Sequence, residues 1–185
     1  MSHSEFDDDF EEIVATEEDI KAALDDLAAQ IKADYDDSKV LLVGVLKGAV
    51  MVMADLARRL SPTAEMDWMA VSSYGVGTRS SGVVRILKDL DADLTDRHVI
   101  IVEDIVDTGI TLQWLLSNLR SRGAASVEVA ALLRKPESVS VDVDVKYVGI
   151  EIPSKFVVGF GLDYAERYRG LPFVAALAPH VYADS

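Results

Sequence analysis

Three carboxylates and a hydroxyl-bearing glycine turn crowd one short stretch, VIIVEDIVDTGITL (Val99 to Leu112), as Glu103, Asp104, Asp107, Thr108, Gly109 and Thr111. Small residues and hydroxyls let a backbone curl around a phosphate and offer it donors. Glu103 and Asp104 would repel a phosphate and need another partner, either sugar hydroxyls or a divalent cation. A ligand bearing both a phosphate and a cis-diol satisfies the whole stretch, with loop N–H groups on the phosphate and the acid pair accepting from a ribose. Asp107 then stands near the sugar, where a carboxylate can take a proton or stabilise positive charge developing on the ring.

Such a loop needs rigid elements on both sides. VIIVE (99–103) reads as a buried strand, and Leu112, Leu115, Leu116 and Leu119 recur as one face of a helix with Gly123 as its C′ residue. In an open parallel sheet, ligands bind beyond the carboxyl ends of the strands, where helix N-termini present free N–H groups. The rest of the chain supplies the sheet. VLLVGVL (40–46) is a buried strand, followed by a helix carrying Met51, Ala54, Leu56 and Leu60 and ended by Ser61-Pro62. MDWMAVSSY and GVVRILKDL are two strands separated by the Gly/Ser-rich GVGTRSS, and VEVAALL (127–133), VKYVGI (145–150) and FVVGF (156–160) complete a sheet of five or six strands. Upstream, Thr16 caps a helix whose apolar stripe, Ile20, Leu24, Leu27 and Ile31, runs to Tyr35 and packs on the domain edge. The predicted class is α/β, with mostly parallel strands joined by crossover helices.

The 185 residues suffice for one domain with a sizeable core. Residues 1–15 are expected to be a disordered acidic tail, and 16–185 the domain. Of the net charge of −14, −12 falls in residues 1–37, which hold fourteen acids against two lysines. An acidic chain is a poor general nucleic-acid binder. With no cysteine there is no disulfide framework and no thiolate ligand or nucleophile. The longest apolar run, VLLVGVLKGAVMVMA, is broken by Lys47 and falls short of a membrane span, and the first dozen residues lack the basic-then-apolar order of a signal peptide. The expectation is a cytoplasmic protein with neither membrane nor nucleic acid as partner. His3, His98 and His180 lack metal-ligand spacing and read as structural or solvated.

Other acidic motifs fit less well. Phosphatases of the haloacid dehalogenase type use D-x-D-x-[TV], whereas Asp104 to Thr108 reads D-x-x-D-T, and neither G-x-x-x-x-G-K-[ST] nor G-x-G-x-x-G occurs at a strand-to-helix turn. A helix cap explains one acid, not three and a glycine turn.

VIIVEDIVDTGITL resembles the 5-phosphoribosyl-1-pyrophosphate motif of the type I phosphoribosyltransferases. Together with LVGVLKGA, SSYGVGTRSSG, RILKDLD and EIPSKFVVGFGLDYAERYRGLP, it makes Val40 to Leu177 similar to the bacterial hypoxanthine-guanine members of that family. The resemblance implies a mostly parallel twisted sheet flanked by helices, a small C-terminal hood and a flexible active-site loop. It also implies a magnesium-dependent pentosyl transfer in purine salvage. Hypoxanthine or guanine and 5-phosphoribosyl-1-pyrophosphate would give IMP or GMP and pyrophosphate.

Carried over position by position, the resemblance gives Glu103 and Asp104 the ribose hydroxyls and an approach to magnesium. Asp107 becomes the general base near N7 of the purine, and Asp107, Thr108, Gly109, Ile110 and Thr111 cradle the 5′-phosphate. Leu46-Lys47-Gly48 matches the pyrophosphate loop, where a non-proline cis peptide aims N–H groups at the leaving group, and Arg169 matches a further pyrophosphate contact. Ser72 to Gly82 matches a lid with Ser73 and Tyr74 as its functional pair. Lys135 matches the donor to the 6-oxo group, Phe156 the ring that stacks on the base, Val157 the main chain that reads its edge, and Asp163 an acid at the second magnesium and the 2-position. A lysine ammonium only donates, so it suits a 6-oxo group and leaves adenine's amino group unpaired.

Two other readings stand beside this one. A regulator of the same fold would need a basic nucleic-acid face, and in an enzyme of the same fold the base-site lysine and aromatic disfavour orotate and uracil but leave xanthine open. Analogy with the family implies a homodimer or homotetramer.

Overall fold

The computed structural model describes residues 7–35, 40–74 and 83–183. Its elements in chain order are β1 (Phe10–Ala15), α1 (Glu17–Tyr35), β2 (Val40–Leu46), α2 (Val50–Arg59), β3 (Glu65–Tyr74), β4 (Val83–Lys88), β5 (His98–Val106), α3 (Ile110–Arg120), β6 (Ser126–Arg134), β7 (Tyr147–Glu151), β8 (Val157–Val158), β9 (Val174–Leu177) and α4 (Pro179–Tyr182). Six strands form one sheet in the order β4-β3-β2-β5-β6-β7, and the other three form a second sheet in the order β1-β9-β8.

In the larger sheet β2, β3, β5, β6 and β7 run parallel, and only β4 turns back, antiparallel to β3. Strands buried on both faces divide their side chains by alternation. Leu42, Ile100 and Val102 join Ile20, Leu24, Leu27, Met53 and Leu56 of α1 and α2 in one core. Leu41, Val43, Val99 and Ile101 join Leu112, Leu115, Leu116 and Leu119 of α3 in the other. The crossover helices are thus α2, between β2 and β3, and α3, between β5 and β6. No helix lies between β6 and β7.

The apolar periodicity placed α1 correctly, and its start is a reciprocal cap. Asp19 N–H donates to Thr16 Oγ1 at 3.1 Å, and Thr16 N–H donates to Asp19 Oδ2 at 3.0 Å. In α2 the buried positions are Val52, Met53 and Leu56, so of the expected stripe Leu56 and Leu60 are buried while Met51 and Ala54 face outward. Helix α3 closes at Ser121, and Gly123, at φ 81°, lies two residues further on rather than at C′.

Two expectations need larger corrections. FVVGF does not extend the main sheet, because only Val157–Val158 are extended and they pair with β9 in the second sheet. Nor do residues 10–15 belong to a disordered tail. They form β1, antiparallel to β9 with Phe10 opposite Leu177 and Ala15 opposite Val174. The acids there have local partners: Lys155 Nζ lies 2.7 Å from Glu12 and 3.2 Å from Glu11, and Tyr168 O–H donates to Asp9 at 2.8 Å. The start of the chain therefore secures the small sheet that carries the C-terminal site residues. Among the described residues no helix is long and apolar enough to cross a membrane.

Candidate functional site

Strand β5 runs beyond β2, since the β2–β5 pairing ends at Gly44 and Val102. Glu103 to Val106 therefore continue past the sheet's centre beside the turn that follows β2. Two cavities open there. The first, about 220 Å³, is lined by Val45, Glu103, Ile105, Val106, Asp107, Thr108, Gly109, Thr111 and Leu112. The second, about 340 Å³, is lined by Lys47, Gly48, Asp104, Asp107, Lys135, Phe156, Val157, Asp163 and Arg169, among others. Ile105 and Asp107 line both.

The first cavity sits at the N-terminus of α3, whose first-turn N–H groups have no acceptor within the helix. Gly109 permits that turn twice over. It has φ 81°, and a Cβ there would strike Val143 Cγ1 at 2.7 Å. The second cavity is closed on one side by the turn after β2, where the Leu46-Lys47 peptide is cis. A Cβ on Gly48 would fall on the Asp104 carboxylate, and one on Gly161 would fall on the Gly48 carbonyl oxygen, so the turn, β5 and the C-terminal loop meet at glycines.

Successive residues of a strand point to opposite sides, and the acid pair does so: Glu103 lines the first cavity and Asp104 the second. Both are half-buried. Burial, helped by the charge of Asp104, pushes the Glu103 carboxyl well above the usual carboxylate range. Burial likewise raises Asp104 to about 6, against the N–H bond from Ile105 and the positive Arg169. A cation or hydroxyl donor in either cavity would favour the ionised acids.

Asp107 stands at the junction. Its Oδ2 accepts from Lys135 Nζ at 3.0 Å, with the lysine side chain 10% exposed and the aspartate 49%. Arg134, beside Lys135 in sequence, turns away toward Glu151, 4.0 Å off. Phe156 is 44% exposed at the mouth of the second cavity, with Tyr164 edge-on at 5.9 Å and the tilted ring of Tyr182 at 5.3 Å. Arg169 is spread over three acceptors: Nη1 donates to Gly161 O at 2.7 Å, and Nη2 lies 2.9 Å from Asp163 and 3.3 Å from Glu166.

The structure thus gathers Glu103, Asp104, Asp107, Thr108, Gly109, Thr111, Lys47, Gly48, Lys135, Phe156, Val157, Asp163 and Arg169 around two adjoining cavities. Leu46 and Ile110 flank the linings, as the ends of β2 and the start of α3. Of the expected lid, Ser73 and Tyr74 end β3 opposite Val84 and Val83, and residues 75–82 lie outside the described residues. Sequence reading missed Glu166 and Tyr164, which reach the site through loop geometry that no periodicity announces, and Tyr182, which ends the short helix α4.

Among the described residues no three His, Asp or Glu side chains converge as a ready cation cage. Asp104 and Asp163, however, line the same cavity. Magnesium is ordinarily held by one or two carboxylates and by substrate oxygens, and this donor set fits that pattern.

The phosphoribosyl transferase domain family matches residues 11–165. The chain belongs to that family. It is 51% identical to a hypoxanthine-guanine phosphoribosyltransferase of Mycobacterium tuberculosis over 180 residues, covering 94% of this chain and 89% of the relative. It is 47% identical to the protein of that name from Bacillus subtilis, covering 94% and 97%. A crystal structure of a hypoxanthine phosphoribosyltransferase from Staphylococcus aureus superposes with a TM-score of 0.94 at 44% identity, covering 98% of this chain and 99% of the other. The six-stranded sheet, its helices and the smaller sheet are thus the type I phosphoribosyltransferase fold.

Proposed function

We propose that this protein transfers the 5-phosphoribosyl group of 5-phosphoribosyl-1-pyrophosphate to hypoxanthine or guanine, forming IMP or GMP and pyrophosphate. One observation carries the reading: Asp107 lines both cavities and is bonded there to the buried Lys135. On this reading a single carboxylate stands between a phosphate cradle and a pocket with an aromatic wall.

On this reading the α3 N-terminus and Thr108, Gly109 and Thr111 hold the 5′-phosphate. Glu103 and Asp104, facing the two cavities, take the ribose hydroxyls from either side. The base lies against Phe156 with its 6-oxo group on Lys135, and Val157 meets its edge through the main chain. The purine then draws on the lysine's donors, and Asp107 is released from its ion pair to accept the N7 proton as N9 bonds to C1′. The C1′–O bond breaks with its electron pair leaving on pyrophosphate, beside Lys47, Gly48 and Arg169. Magnesium, held by Asp104 and Asp163, would supply charge neutralisation for that leaving group.

The test is to incubate the protein with 5-phosphoribosyl-1-pyrophosphate, magnesium and each nucleobase separately, and to identify the nucleotide formed. IMP from hypoxanthine and GMP from guanine, with little product from adenine, are expected. No product from either 6-oxopurine overturns the assignment, and XMP as the main product would move it to a xanthine-preferring enzyme.

A further inference from the structure

We propose that the Glu166 carboxylate is a built-in counter-anion of the leaving-group subsite, pairing with Lys47 and Arg169 when that subsite is empty and yielding them to pyrophosphate. The proposal rests on the assignment of Lys47 and Arg169 to pyrophosphate made above.

Geometry supplies the first argument. Glu166 Oε2 lies 3.0 Å from Lys47 Nζ, and Oε1 lies 3.3 Å from Arg169 Nη2. These cations come from distant parts of the chain, one on the turn after β2 and one beyond the Tyr164–Arg167 turn. One carboxylate bridges them at the rim of the cavity that both line.

The backbone supplies a second, independent argument. Tyr164 and Arg167 exchange N–H···O bonds at 3.2 and 3.0 Å across a two-residue turn. Its central residues, Ala165 and Glu166, have φ of 51° and 63°. Two positive φ values in such a turn favour Asn-Gly or Asp-Gly, and a glutamate there carries conformational strain. The position gains nothing locally from a long acidic side chain. What that side chain does accomplish is to reach two cations. The Glu166 N–H, donating to Asp163 Oδ2 at 2.8 Å, fixes its point of departure.

Exposure decides between a permanent strut and an exchangeable partner. The side chains of Lys47 and Glu166 are 67% and 64% exposed, and Glu166 is not part of the cavity wall. Ion pairs that open to water are weak and give way to a better anion. A diphosphate offers more charge and more acceptor oxygens than one carboxylate. Once displaced, Glu166 remains at the rim as a like charge, which loosens the hold on pyrophosphate and favours its departure.

Product inhibition by inorganic pyrophosphate, at fixed magnesium, tests this in the wild type and in Glu166→Gln, Glu166→Gly and Arg169→Gln. Glu166→Gln is expected to tighten pyrophosphate inhibition by about 2- to 5-fold, with the KM of hypoxanthine unchanged. Glu166→Gly should tighten it equally without lowering Tm, because glycine accepts the positive φ. Unchanged or weakened inhibition in Glu166→Gln, while Arg169→Gln weakens it, overturns the role of Glu166 alone. If Arg169→Gln leaves inhibition as it was, the subsite assignment fails and the proposal falls with it.

Discussion

Gly48 lies so close to the Asp104 carboxylate that the two positions cannot both carry full side chains in their present places. Of the two, the carboxylate is the part that can yield, being the end of a side chain rather than main chain. Gly48→Ala is therefore expected to spare the fold and displace Asp104. Turnover should fall by about 10²-fold, the scale on which a misplaced group of about 1 Å acts, with Tm changed by no more than about 4 °C. Gly161→Ala makes the contrast, since φ is 101° there and its Cβ would meet the Gly48 main-chain oxygen. That variant should lose on the order of 2 kcal/mol of stability. Paired thermal melts and steady-state assays separate the two outcomes, and equal Tm losses would refute the distinction.

Asp107→Asn keeps the shape of the junction and removes the carboxylate proposed to accept the proton. Turnover is expected to drop by about 10²- to 10⁴-fold, while calorimetric affinity for 5-phosphoribosyl-1-pyrophosphate changes little. A variant with normal turnover would take Asp107 out of proton transfer.

Lys135 is 8% exposed and directs its ammonium at Asp107. Lys135→Gln replaces a pure donor with an amide that both donates and accepts. The KM of hypoxanthine should rise by about 10-fold or more, the range for a bond to a charged donor, and the preference over adenine should narrow. Competition between the two bases in one reaction reads this directly.

Phe156 is steadied by Tyr182, from the last helix of the chain, with ring centroids 5.3 Å apart and an interplanar angle of 33°. Such pairs contribute about 0.5–1.5 kcal/mol. Tyr182→Ala should raise the purine KM by about 2- to 10-fold without altering that of the sugar diphosphate, and Tyr182→Phe should restore it. A rise shared by both substrates would point to general loosening instead.

These residues show where sequence reading succeeds. The turn from Asp107 to Thr111 was legible because these residues are contiguous and the apolar runs on either side declare a strand and a helix. The parallel sheet was legible for the same reason, since β2 and β5 are continuous apolar runs of the kind that strands covered on both faces need. The small sheet was not: Val157–Val158 and Val174–Leu177 are short, and β1 carries Glu11 and Glu12 among its six residues. Strand β1 and its partner β9 lie more than 150 residues apart in the chain, Phe10 opposite Leu177, and no local pattern encodes such pairing. Glu166 was hidden likewise, because its reach depends on two positive φ values that Ala-Glu does not advertise.

Asp67 links the site's scaffold to acidity. Its side chain is 10% exposed, and the carboxylate accepts from the N–H groups of Asp91 and Ala92 at 2.8 and 2.9 Å and of Trp68 at 2.7 Å. Burial opposes ionisation, but those three donors and the nearby Lys88 outweigh it and hold the carboxyl below its ordinary value. A carboxyl lowered by folding contributes stability above its unfolded pKa of about 4 and loses it as pH falls through the lower folded value. Asp67→Ala, which strands the three N–H groups, should cost about 1–3 kcal/mol at neutral pH. Chemical denaturation of the variant and the wild type should give a difference that is constant from pH 7 to about 5 and shrinks below about 4. A difference that stays constant through the acid range would mean that the Asp67 charge contributes nothing, leaving only the shape of its side chain.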